Sequence, residues 1–145
     1  MRHARSPATL CGTVAAPHFL SPLLTNSAGT PWTLGVAGRD ATLAASLEPA
    51  FESATRNRGL LGRDGLPPGT ALLIAPSNAI HTFGMRFPID VIFAARDGRV
   101  LKIRAALPRT RIAFARGGFA VIEMAAGEAA RCGLQPGDRL ELRRS

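Results

Sequence analysis

The 145-residue chain has no tyrosine, one tryptophan, two cysteines and one lysine, Lys102, among its eighteen basic residues. Each shortage excludes something. With Trp32 alone, the stacking platforms that hold single-stranded nucleic acid are scarce, and phenylalanine and arginine would have to supply them. Cys11 and Cys132 form no CxxC pair, so neither a disulfide scaffold nor a zinc site follows, and Cys132 reads as a small buried filler near a helix end. No apolar run approaches the ~18 residues that a membrane-spanning helix needs. No GxSxG is present, and Ser46, Ser53 and Ser77 sit in no recognisable nucleophile setting, which disfavours a Ser/His/Asp hydrolase. Gly59, Gly62, Gly65 and Gly69 match neither GxGxxG nor the P-loop, and their segment carries no lysine, so they read as a turn-rich loop.

What remains is basic and moderately apolar. The net charge is +8 and 46% of residues are hydrophobic, which suits one domain with a real core. The cations are nearly all arginine, and a solvated arginine-rich surface accounts for them more simply than a dedicated nucleic-acid site. Residues 1–30 are patchy, with His3 and His18 among arginines and prolines. They make a poor secretion signal. The expectation is a disordered or overlong tail over 1–30, a single domain over 31–145, a cytoplasmic location and a monomer.

Periodicity predicts a mainly β (α+β) fold, a compact barrel or sandwich of short strands with one amphipathic helix and a short helical turn near the C-terminus. Trp32 to Val36 is a strand. Asp40 is placed to cap a helix in which Leu43, Leu47, Ala50, Phe51 and Ala54 recur at helical spacing up to Arg58. Pro49 interrupts it, so either the helix kinks or a second one begins near Leu47 with Ser46 as cap. Gly59 is the natural stop, with Arg56 and Arg58 complementing the dipole. Strands follow at Ala71 to Ala75, Ile80 to Phe83 and Ile89 to Ala95, the last apolar enough to be covered on both faces. Asp97-Gly98 marks a hairpin into Val100 to Ala105, where Leu101, Ile103 and Ala105 alternate with Lys102 and Arg104. Pro108 to Gly118 reads as an irregular basic connection and Phe119 to Met124 as a strand. Helical turns from Ala126 end at Gly133, and Arg139 to Leu142 is the last strand.

Four pieces then resemble a known family. They are Arg58-Gly59-Leu60-Leu61-Gly62-Arg63 with Leu66-Pro67, and Pro88-Ile89-Asp90 with the Asp97-Gly98 hairpin. The others are Val121-Ile122-Glu123-Met124-Ala125-Ala126-Gly127 with Ala129-Ala130-Arg131, and Gly133-Leu134 with Pro136-Gly137-Asp138-Arg139. Their order and spacing over about residues 32–143 resemble DUF192, a bacterial and archaeal family of uncharacterised proteins. The resemblance implies a compact, largely β domain and supplies no reaction, cofactor or catalytic residue. Two departures stand out. His81-Thr82-Phe83-Gly84-Met85 replaces the family's Trp-Met-Lys-Asn-Thr-like segment, and Thr55 stands where an acidic residue is usual.

The candidate site is therefore His81, Thr82, Met85, Arg86, Asp90 and Glu123. His81 is a proton shuttle or ligand in type, yet a lone histidine among apolar strands reads more readily as a hydrogen-bonded core residue. Asp90 can bind turn N–H groups or pair with Arg86. Glu123 is the only charge in its apolar strand, costly unless paired, and reads as an anchor for the Gly127 turn, an arginine partner or an acid of raised pKa. Met85 reads as core or pocket wall. The leading expectation is a binding or accessory module for an unknown ligand or protein partner, with no identified cofactor or metal. The alternatives are an enzyme using His81 with Asp90 or Glu123 in acid/base or metal-assisted hydrolysis, and nucleic-acid binding through Arg96 to Arg116.

Overall fold

The computed structural model describes residues 17–25 and 31–144. Cys11 and His3 lie outside them. In order, the elements are α1 (Ser21–Thr25), β1 (Trp32–Val36), β2 (Thr42–Ala44), β3 (Ser46–Ala50), α2 (Ser53–Arg58), β4 (Thr70–Ile74), β5 (Ala79–His81), β6 (Ile89–Ala94), β7 (Val100–Leu107), β8 (Ile112–Phe114), β9 (Ala120–Ala125), α3 (Glu128–Arg131) and β10 (Leu140–Arg144). The fold is β-rich α+β without a closed barrel. A central sheet runs β3-β4-β9-β6-β7, beside a three-stranded sheet β10-β1-β2 and a ribbon β5-β8.

The central sheet separates two cores, and residue parity assigns each side chain to one of them. Ala71, Leu73, Ile92, Ala94, Ala120, Ile122 and Met124 face the first core, which is closed by Leu34, Val36 and Leu140 of the smaller sheet. Leu72, Ile74, Ile89, Val91, Phe93 and Val121 face the second, closed by Leu60, Leu66, Met85, Leu107 and Ala113. Two covered faces explain why β4, β6 and β9 read as unbroken apolar runs.

Three expectations are corrected. The helix expected from Asp40 to Arg58 exists only as α2, and the preceding residues form β2 and β3. Leu43 and Ala50 are buried, but in different cores. Their spacing therefore imitates a helical stripe while serving two strands. Pro49 lies on β3, an edge strand pairing in parallel with β4, where a missing N–H is tolerated. The expected alternation of β7 is broken by irregular pairing, with Phe93 opposite Lys102 and Ala94 opposite Val100. Leu101 thus joins the second core and Ile103 the first. The connection after Pro108 contains β8, which pairs with β5.

Within the stretch expected to be a tail, residues 17–25 pack on the domain. Leu20 is fully buried in the first core, and Phe19 donates its N–H to the Arg96 carbonyl at 2.8 Å. The Asp97-Gly98 hairpin forms as the sequence predicts, with Arg99 N–H donating to Asp97 Oδ1 at 3.0 Å. Gly98 has φ +89° and lies so close to Leu140 that a Cβ there would collide with its carbonyl oxygen, so no other residue fits. Cys132 is half-buried and packs against the first core.

Candidate functional site

β9 is the middle strand of the central sheet, and Glu123 points from it toward the second core. Its neighbours across the ladder are Leu72 and Val91. The residue is only 4% exposed, and its Oε2 has no hydrogen-bond partner among the described residues. Burial pushes the carboxyl up to about 7, while Arg63 pulls it the other way. Arg63 is itself paired with Glu48 at 2.8 Å.

Glu123 lines a cavity of about 320 Å³ together with Ile74 of β4, Met85, and Ile80 and His81 of β5. The remaining wall is the end of α2 and the segment after it, including Arg56, Asn57, Arg58 and Leu60, together with Ser77 before β5 and Ala79 at its start. α2 ends where the sequence predicts, at Gly59 with φ +48°, whose N–H donates to the Thr55 carbonyl at 3.1 Å. Arg56 is fixed along the helix by donating to the Phe51 carbonyl and, at 3.1 Å, to Ser53 Oγ. Arg58 is exposed and has no side-chain hydrogen bond or ion pair among the described residues. His81 is exposed on the ribbon, its ring tilted against Phe83 with centroids 5.6 Å apart.

The structure brings together three of the six expected residues, His81, Met85 and Glu123. The others do different work. Thr82 is buried and ties down the connection after β7: its Oγ1 donates to the Pro108 carbonyl at 2.8 Å and accepts the Arg111 N–H at 2.9 Å. Arg86 is exposed and pairs with exposed Asp64 at 2.6 Å, rather than with Asp90. Asp90 is fully buried on the opposite face of the sheet, opposite Met124 in the register. Its Oδ1 accepts the Ala106 N–H at 2.8 Å, and its Oδ2 accepts those of Gly127 at 3.1 Å and Ala129 at 2.9 Å. It therefore pins the irregular end of β7 and the start of α3.

Asp90 consequently partners neither His81 nor Glu123. Among the described residues no three His, Cys, Asp or Glu side chains converge as a metal would require, so the set His81, Asp90 and Glu123 does not assemble. Glu123 also does not anchor the Gly127 turn; Asp90 does. Arg56, Asn57 and Arg58 also line the cavity, which the sequence does not reveal: a cationic α2 end beside a glycine stop signals only dipole complementation.

These features define a small β-rich domain with a buried carboxyl, its Oε2 without a hydrogen-bond partner among the described residues, on the wall of a cavity that Arg56 and Arg58 also line. The chain belongs to the DUF192 family, described as "Uncharacterized ACR, COG1430", whose model matches residues 35–142. Two solved structures are similar. One is a protein of unknown function from Novosphingobium aromaticivorans DSM 12444, 29% identical, with a TM-score of 0.67 over 75% of this chain and 83% of that one. The other is described as a "putative transcription regulator" from Sinorhizobium meliloti 1021, 25% identical, with a TM-score of 0.67 over 80% of this chain and 97% of that one. No curated protein matches. No helix among the described residues is long and apolar enough to cross a membrane.

Proposed function

We propose that this domain is a binding module for a small ligand, held in the cavity between the end of α2, β5 and β9. Glu123 is its inner polar anchor and His81 part of its outer wall. The observation that carries this reading is the Glu123 carboxyl itself. A glutamate 96% buried in a central strand, whose Oε2 has no hydrogen-bond partner among the described residues, is costly, and a ligand group that pairs with it offsets that cost. Cavities of about 300 Å³ lie at the small end of ligand pockets. Relative to the sequence expectation, the site moves off Asp90 and onto α2.

A thermal-shift panel of metals, nucleotides, sugars and peptidoglycan fragments tests it on wild type, His81→Ala and Glu123→Gln. At least one class is expected to raise the wild-type Tm, with a smaller rise in both variants. Equal responses in all three proteins would place the site elsewhere.

A second reading, an enzyme, is favoured by one observation: a carboxyl titrating near 7 shares a cavity with an imidazole, which suits Glu123 as general acid. It expects a ligand that binds wild type to be converted in NMR time courses and to persist unchanged with Glu123→Gln. Equal persistence with both proteins leaves binding as the whole activity.

A further inference from the structure

The charged groups lining the cavity are Arg56, Arg58 and Glu123, which is two guanidiniums against one carboxyl. The balance is positive at the mouth, and the chain's net charge of +8 adds a field that draws in anions. The two guanidiniums are not equivalent. Arg56 is committed to the Phe51 carbonyl and Ser53 Oγ. Arg58 is exposed and lacks a side-chain partner among the described residues, so its five donors are available to a planar or tetrahedral anion.

The inner end asks for something different. Glu123 lies among Leu72, Val91, Ile74 and Met85, where an apolar ligand would leave the carboxyl as unpaired as before. A hydroxyl both donates and accepts, so it pairs with the carboxyl in either protonation state. An ammonium satisfies only the ionised carboxylate, the form that burial disfavours here. The volume, about 320 Å³, suits one sugar-sized unit rather than a chain of them.

Given the pocket at Glu123, on which this inference rests, we infer that the cavity takes a small polyhydroxylated anion, its carboxylate or phosphate on Arg58 and a hydroxyl on Glu123. Sugar acids and sugar phosphates share that chemistry. Amino acids and neutral sugars each lack half of it.

Isothermal titration with sodium gluconate, glucose 6-phosphate, glucose, acetate and L-alanine tests this on wild type, Arg58→Gln, Glu123→Gln and Glu123→Leu. At least one of the first two is expected to bind, and the tighter of them identifies carboxylate or phosphate. Glucose, acetate and alanine are each weaker, by about tenfold or more, as loss of a charge-assisted or buried hydrogen bond implies. Arg58→Gln is expected to lower the anion's affinity about tenfold, to that of glucose, and to leave glucose unchanged. Glu123→Leu weakens both, and Glu123→Gln, which keeps a donor and an acceptor, restores part of the loss. Arg58 is exposed and Glu123→Gln is near-isosteric, and melting curves check the fold of every variant independently.

If glucose matches the anions and Arg58→Gln changes neither, while Glu123→Leu still weakens both, the anion class is overturned and the pocket survives. Alanine binding as well as gluconate overturns the hydroxyl. No binding by any probe overturns the ligand class outright. Binding that Glu123→Leu leaves untouched overturns the pocket itself.

Discussion

At Glu123 the chain keeps an acid where its neighbours on β9 are all apolar and, apart from half-buried Ala125, buried. The carboxyl is raised from 4.5 to about 7, chiefly by desolvation. In the unfolded chain it ionises near its ordinary value, so between about 4.5 and about 7 the unfolded state holds fewer protons than the folded one. Stability then falls as pH rises through that window, is complete below it and levels off above it. The whole effect is roughly 3 kcal/mol, because each pH unit of displacement corresponds to about 1.4 kcal/mol. Urea unfolding of wild type and Glu123→Gln from pH 4.5 to 8 measures it. The wild-type midpoint should drop relative to the variant across the window. Parallel profiles would mean that Glu123 ionises as freely inside the fold as outside it.

Asp90 shows the opposite use of a buried carboxylate, in which three backbone N–H groups from two separate elements close on one side chain. It holds the end of β7, where Ala106 has φ +46°, against the start of α3, whose N-cap Gly127 offers no side chain of its own. Asp90→Ala leaves those donors buried and unpaired and is expected to cost about 3 kcal/mol or more. Asp90→Asn, with one carbonyl oxygen left, should recover part of it. Denaturation midpoints give the cost, and faster hydrogen exchange at Ala106, Gly127 and Ala129 would localise it. Ligand binding at the Glu123 cavity should survive in the folded fraction of Asp90→Asn, because the two carboxyls face opposite cores. At this scale the sequence was readable where one pattern had one cause. Ile89–Ala94 and Ala120–Ala125 are covered on both faces, and runs that are apolar except for Asp90 and Glu123 say so directly. Residues 42–50 were not readable, because Leu43 and Ala50 are buried in two cores at a spacing that a single helix would also produce. The acid on β9 stood out in the sequence. Its convergence with Arg58 did not, since α2, β5 and β9 meet only through pairing across the chain.

Over the whole molecule the excess of +8 raises the question of nucleic acid again. The stretch from Arg96 to Arg116 is spread over several elements. Arg96 lies over the Phe119 ring at 4.4 Å, and Asp97, at the same hairpin, pairs with Arg139 at 3.1 Å. Lys102 donates to the Phe114 carbonyl at 3.0 Å from the edge strand β7. Arg109 and Arg111 belong to the following connection, and Arg116 to the turn after β8. Charge spread over several elements gives a diffuse positive field, which is expected to attract phosphates without reading bases. Mobility-shift assays should therefore show duplex DNA and RNA retained alike at about 50 mM salt and both released by about 200 mM, with no preference among sequences. Arg58→Gln should leave that retention unchanged while lowering small-anion affinity, because the first depends on the summed surface charge and the second on one guanidinium at the cavity. Retention that persists at the higher salt, or that selects one sequence over its scrambled counterpart, would instead make the Arg96–Arg116 stretch a dedicated interface.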